Sequence, residues 1–192
     1  YALSAQHSSH DPRLLSLTDY LQHASTSDVQ IDLDIPRTVR GHKAFHTRYG
    51  RGQCDLFGVL HAMSLMCAEC GYCQGMGPLA AMLLMHMPAS DALRVMQRMH
   101  DVYGFHELFR PGFPGLRAEF YVLSQLLDAL VPRMAQALAQ AGLAPSAYAT
   151  RWLLTVFHDA LPHATQLRVW DIFMACGRDA LLVVAVGLLR AL

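Results

Sequence analysis

The sequence predicts an all-α protein, and three observations carry that expectation. Apolar residues recur at three- and four-residue spacing through most of the chain. No stretch alternates apolar and polar residues as a half-buried strand does. The breaks between periodic stretches are short and marked by Gly, Pro or Ser. With 192 residues, 53% of them hydrophobic, the chain can bury a sizeable core, and it reads as one domain, 1–192, of about ten helices. Short connections favour antiparallel neighbours.

The elements follow in order. Asp11 is placed to cap a helix from Pro12 to about His23, with Pro12 at the favoured first position and Leu14, Leu15, Leu17 and Leu21 as its apolar stripe. Ser27 can cap a short helix, Asp28 to Asp34, whose Val29, Ile31 and Leu33 face inward only in part. Pro36 breaks it, and the basic, polar stretch 39–52 reads as a loop. A long helix from about Gln53 to Glu69 follows, with Leu56, Val59, Leu60, Met63 and Met66 on its inner face. Gly71 and the stretch from Gly75 to Pro78 interrupt it, and a second apolar helix runs from Pro78 to about His86. Ser90 can cap Asp91 to Tyr103, which Gly104 can end. Phe109 to Gly115 is a loop by its Pro and Gly content. Helices are then expected over Leu116 to Leu130, from Pro132 to near Gly142, from Ala147 to Leu161 with Ser146 as cap, and over 163–176 and 178–191.

Charge and composition exclude several functions. Fifteen basic and 15 acidic residues give zero net charge, which argues against a nucleic-acid-binding face and against simple electrostatic attachment to a membrane. The longest apolar run, Leu181 to Leu189, is bounded by Arg178, Asp179 and Arg190 and falls well short of the roughly 20 residues of a spanning helix. No secretory signal is visible, and both ends read as the edges of a domain cut from a longer chain. The 5 cysteines (Cys54, Cys67, Cys70, Cys73 and Cys176) suggest no disulfide framework, so a reducing, cytoplasmic setting is expected.

Two peptides stand out chemically. In Ile31-Asp32-Leu33-Asp34-Ile35-Pro36-Arg37-Thr38, Pro36 puts Arg37 on an irregular segment, and Asp34 lies where its carboxylate can orient the guanidinium. In Gly71-Tyr72-Cys73-Gln74-Gly75-Met76, glycines flank a glutamine between two apolar helices and permit close backbone approach or positive φ. A permanent cation and a side-chain amide that both donates and accepts are the two groups that assisted hydrolysis of GTP requires. Taken singly, each has a bland reading: a surface arginine at a helix end, and a polar bend. Tyr72 reads as a packed aromatic with its hydroxyl satisfied.

A rival motif is Cys67, Cys70 and Cys73, spaced C-x2-C-x2-C, which on a helix would share one side. An iron–sulfur run wants a further cysteine close by, usually followed by proline, and the next is Cys176. His61 or His86 could complete a zinc site, but neither has tight ligand spacing, so no metal is expected. The 11 histidines form no metalloprotease pattern, and no Walker or G-x-S-x-G sequence occurs. The methionines at 63, 66, 76, 82, 85 and 87, together with Trp152, Phe157 and Trp170, read as core, and Arg168 and Asp171 as a helix-surface pair.

Ordered along the chain, Ile31-x-x-Asp34-x-x-Arg37-Thr38, Gly71-Tyr72-Cys73-Gln74-Gly75-Met76 and Arg168-Val169-Trp170-Asp171-Ile172-Phe173 resemble the three signature stretches of TBC domains, the GTPase-activating domains for Rab GTPases. The likeness extends to Phe109–Gly115, Tyr148-Ala149-x-Arg151-Trp152, Leu161-Pro162 and the closing apolar helix. It implies an all-helical, V-shaped domain, here truncated at both ends. It further implies Arg37 as an arginine finger and Gln74 as a glutamine finger supplied in trans, with Asp34, Thr38 and Tyr72 in support. GTP and Mg²⁺ would arrive with a GTP-bound Rab partner, and the chain would need no cofactor and carry out no turnover of its own. The implied setting is vesicle trafficking, cytoplasmic or peripheral on endomembranes through the Rab. The alternative is a catalytically silent module that docks a Rab or an adaptor. Two positions depart from the family pattern: Gly77, where many members have Asn or Ser, and Gly58, where many have a basic residue.

Overall fold

The computed structural model describes residues 15–192 and contains, among them, eleven α-helices and no strand. They are α1 (Leu17–Tyr20), α2 (Asp28–Asp34), α3 (Arg51–Met66), α4 (Met76–Leu84), α5 (Ala89–Asp101), α6 (Phe105–Phe109), α7 (Pro114–Leu130), α8 (Pro132–Gln140), α9 (Pro145–Thr155), α10 (His163–Cys176) and α11 (Asp179–Ala191). The all-α expectation holds. The chain divides into two compact units, one ending at Asp101 and the other beginning at Val102.

In the first unit α3 is the central element. From Leu56 to Met66 nearly every residue is buried, because α1, α2, α4 and α5 all pack against it. Leu56, Val59, Leu60 and Met63 of α3, Leu79 and Met82 of α4, and Leu93 and Met96 of α5 are all buried where these helices pack. Met63, Met66, Met76 and Met82 are core residues as expected. The buried polar side chains of α3 are all committed. Gln53 donates to the Phe45 carbonyl at 2.7 Å and accepts from the Tyr49 N–H at 3.1 Å, which fixes the 38–50 loop against the start of the helix. At Gly52 an added Cβ would sit 2.1 Å from the Ala44 carbonyl oxygen, so only glycine lets that loop cross here. His61 bridges the Asp28 carboxylate (2.6 Å) and the Tyr20 carbonyl (3.1 Å), and so seats both α1 and α2 on α3.

The second unit is built on α7, which packs against α6, α8, α9 and α11. Its core contains Phe105, Leu123, Leu127, Leu153, Phe157, Phe173 and Leu181. One charged cluster lies inside it. Arg178 places Nε 2.8 Å from the Glu119 carboxylate and donates through Nη1 to the Gly104 carbonyl at 2.6 Å. Burial pushes the Glu119 carboxyl up from its ordinary value, and the Arg178 guanidinium opposes that shift.

Several boundaries differ from expectation, each for a local reason. Among the described residues the first helix is Leu17–Tyr20, capped by Ser16 in a reciprocal box with Asp19; the expected cap at Asp11 and first turn at Pro12 lie outside the described residues. Ser27 occupies the cap position of α2 without a side-chain cap bond; Asp28 instead accepts from the Ser25 N–H at 3.1 Å. Only Ile31 of the three apolar residues of α2 faces inward, since Val29 and Leu33 are exposed. α3 begins two residues early and stops at Met66, because Cys67 is extended. α6 fills Phe105–Phe109, between Gly104 and the expected loop, where the spacing predicts no element. α9 ends at Thr155 rather than Leu161 because the buried Val156 and Phe157 both take positive φ (50° and 59°). The expected pair of Arg168 and Asp171 does not form, and both side chains are exposed; Arg151 pairs with Asp159 at 2.9 Å instead.

Two stability predictions follow from these contacts. A Cβ at Gly58, in the middle of α3, would meet only Leu17 and Leu21 side-chain atoms at 3.7 and 3.9 Å, an ordinary contact. Gly58→Ala is therefore expected to stabilise the protein by about 0.5–1 kcal/mol, read from urea denaturation, with no change in m-value. Arg178→Met leaves the Glu119 carboxylate buried without its cation and is expected to cost about 3 kcal/mol at neutral pH. A raised folded-state carboxyl pKa penalises folding only where the group is ionised. The deficit should therefore shrink as pH falls from neutral toward the ordinary carboxyl range, because Glu119, its pKa raised, takes up its proton above that range. Denaturation curves of both proteins at neutral and acid pH check the sign.

Candidate functional site

The site is assembled around one buried carboxylate. α2 ends at Asp34, and Pro36 turns the chain through a 3₁₀ turn, Ile35–Arg37, that stops at Thr38. Asp34 is only 1% exposed. A buried carboxylate is tolerated when donors surround it, and here three do. Gln30, one helical turn back, donates Nε2–H to Oδ1 at 2.9 Å. Arg37 donates Nη2–H to the same oxygen. The Tyr72 hydroxyl donates to Oδ2 at 3.0 Å. The Asp34 carbonyl is used as well: the Thr38 hydroxyl donates to it at 2.9 Å and the Thr38 N–H at 3.1 Å.

The consequences differ for each partner. Arg37 is 59% exposed at its side chain, so its guanidinium is anchored at one nitrogen while the rest faces solvent. Tyr72 is half-buried; burial, reinforced by the Asp34 carboxylate, pushes its phenol far above the ordinary value, so it acts as a fixed donor. Gln74 lies two residues beyond Tyr72 and is exposed. It occupies the turn that leads into α4, where the Met76 N–H donates to the Cys73 carbonyl at 2.8 Å and the Gly77 N–H to the Gln74 carbonyl at 3.3 Å. Positive φ, expected of the flanking glycines, is found at Gly71 (56°) but not at Gly75 (−62°). Burial raises the pKa of the Cys73 thiol between them.

Gly77 occupies a close-packed position. A Cβ there would lie 3.3 Å from the Thr38 hydroxyl and 3.9 Å from the Tyr72 hydroxyl. The Arg37 turn and the Gln74 loop therefore approach each other through Thr38, Gly77, Tyr72 and Asp34. All five residues singled out from the sequence (Asp34, Arg37, Thr38, Tyr72 and Gln74) belong to these two adjoining segments. Gln30 was missed. Its signal was available as a Gln four residues before an Asp on one helix face.

The cysteine run does not share a helix face. α3 ends before Cys67, and Cys73 lies on the Gln74 loop. His61 is committed to Asp28 and Tyr20, and His86 is exposed beyond the end of α4, so neither completes a cysteine site. Burial, with the Cys67 thiol beside it, pushes the Cys70 thiol up to about 12. No helix among the described residues is long and apolar enough to cross a membrane.

Comparison with known proteins identifies the family. The Rab-GTPase-TBC domain family matches residues 2–192. A TBC domain-containing protein of Schizosaccharomyces pombe is 45% identical over 150 residues, 78% of this chain and 36% of that protein. The Rab GTPase-activating protein tbc-11 of Caenorhabditis elegans is 32% identical over 170 residues, 88% of this chain and 18% of its own length. The chain thus spans about a third or less of these relatives. Among solved structures, the Chlamydomonas flagellar RabGAP TBC domain superposes with a TM-score of 0.78 at 21% identity, covering 94% of this chain and 59% of that one, which establishes the fold. The chain belongs to the RabGAP-TBC family.

Proposed function

We propose that this chain accelerates GTP hydrolysis by a Rab GTPase in its GTP-bound form, lending it Arg37 and Gln74. The observation that carries this reading is the Asp34 carboxylate, which binds Arg37 from one segment and Tyr72 of the Gln74 loop from the other. The Arg37 guanidinium, solvent-facing and held at one nitrogen, neutralises charge developing on the β/γ-phosphate oxygens. The Gln74 amide aligns the attacking water, accepting from it while donating toward the γ-phosphate. GTP and Mg²⁺ belong to the partner, which performs the turnover; this chain acts as activator in the cytoplasm or on the endomembrane that carries the Rab. An arginine finger is worth roughly 10³–10⁵ in rate, about 4–7 kcal/mol of barrier.

Single-turnover GTP hydrolysis across a panel of Rab proteins tests this. On a responsive Rab, Arg37→Ala is expected to remove roughly 10³-fold or more of the stimulation, and Gln74→Ala to reduce it severely, while both variants still bind the Rab. Unchanged stimulation in either variant contradicts that residue's role. Binding without stimulated phosphate release by the wild-type chain would make it a silent docking module.

A second expectation concerns support. Tyr72→Phe leaves one oxygen of a buried carboxylate without its donor. It should cost about 1.5–3 kcal/mol of stability, measured by chemical denaturation, and slow stimulated hydrolysis without abolishing it.

A further inference from the structure

The first unit gathers a second set of reactive side chains beside the Gln74 loop. α3 stops at Met66, and Cys67 to Cys70 fold into a tight turn closed by the Gly71 N–H donating to the Cys67 carbonyl at 2.8 Å. Within it the Cys70 N–H points at the Cys67 sulfur at 3.4 Å, which sets the two sulfurs on one side of the turn. The last turn of α5 contributes His100, buried, with Nε2 3.6 Å from the Cys70 sulfur. Its other ring nitrogen, Nδ1, lies 2.7 Å from the Asp101 carboxylate. A proton on Nδ1, donated to that carboxylate, puts the ring's lone pair on Nε2, facing the sulfur. A carboxylate behind a ligating histidine in this way fixes its tautomer and ring orientation.

The ligand atoms of Cys67, Cys70 and His100 all lie within 4.8 Å of one another. Tetrahedral zinc, with Zn–S about 2.3 Å and Zn–N about 2.0–2.1 Å, needs its ligand atoms about 3.5–3.8 Å apart. Closing the set therefore takes side-chain adjustments of about 1 Å. Two thiolates and an imidazole form a soft, mixed donor set that suits zinc rather than calcium or magnesium. Cys73 falls outside the cluster, so the three cysteines do not converge as an iron–sulfur cradle.

We propose that Cys67, Cys70 and His100 bind one zinc ion, with Asp101 orienting His100 from behind. The ion ties the end of α3 and the start of the Gln74 loop to the last turn of α5. The three side chains leave the fourth tetrahedral position to water or a further donor, and the site stands independently of which GTPase, if any, the chain serves.

The test is metal content. The whole chain, produced with zinc in the medium and purified without chelator, is expected to carry one zinc per chain by elemental analysis. Cys67→Ser, Cys70→Ser and His100→Gln should each fall to background, while Cys176→Ser, which alters an exposed cysteine, keeps the full complement. Asp101→Asn should bind zinc about tenfold more weakly.

Because a variant at a buried position can lose its fold, the wild-type protein is also read directly. Zinc K-edge absorption should show two sulfur and at least one nitrogen neighbour. Cobalt added to the apoprotein should give a thiolate charge-transfer band. A wild-type chain that retains no zinc after reloading, a zinc shell of nitrogen and oxygen only, or a Cys67–Cys70 disulfide in fresh protein overturns the proposal.

Discussion

A carboxylate with 1% exposure is expensive to bury, and the Asp34 carboxylate is held there by donors from three directions. Gln30 comes from within α2, Arg37 from the turn that Pro36 forces, and Tyr72 from a loop 38 residues further along the chain. Remove the charge and the guanidinium loses its anchor; remove the donors and the charge is stranded. Arg37 is tied to this group directly, and the loop that carries Gln74 is tied to it through Tyr72. Neither side chain is packed in a core of its own.

The surrounding core serves that arrangement. α3 is apolar on nearly every face, and its few polar residues fix what flanks the site: Gln53 the 38–50 loop, His61 the start of α2. Two glycines are used where chains must come close. Gly52 lets the loop cross α3, and Gly77 lets α4 begin against Thr38 and Tyr72. Gly77, a departure from the family pattern, thus occupies a position where a larger side chain has to push neighbouring groups by a few tenths of an ångström.

Much of this was legible in the sequence. Helix class and the inner face of α3 follow from residue spacing, and Arg37 and Gln74 were marked by Pro36 and by the glycine-flanked loop. What was not legible depends on contacts distant along the chain. That Tyr72 donates to Asp34, rather than to any nearby backbone group, is a tertiary fact with no local spacing to announce it. The early end of α9 rests on two buried residues, Val156 and Phe157, held at positive φ by their packing, which propensity would never assign. The cysteine run misled for the same reason. Spacing suggested one helix face, but the end of α3 at Met66 separates Cys73 from the other two, and a histidine beside them, His100, comes from α5.

The shared anchor makes a demand that independent fingers would not. A double-mutant cycle in single-turnover hydrolysis on a responsive Rab, combining Asp34→Asn with Arg37→Ala and with Gln74→Ala, measures it directly. If Asp34 positions both fingers, its substitution alone costs much of what either finger costs, and adding it to a finger variant costs little more. Strictly additive losses would mean that the two fingers are held by something other than this carboxylate.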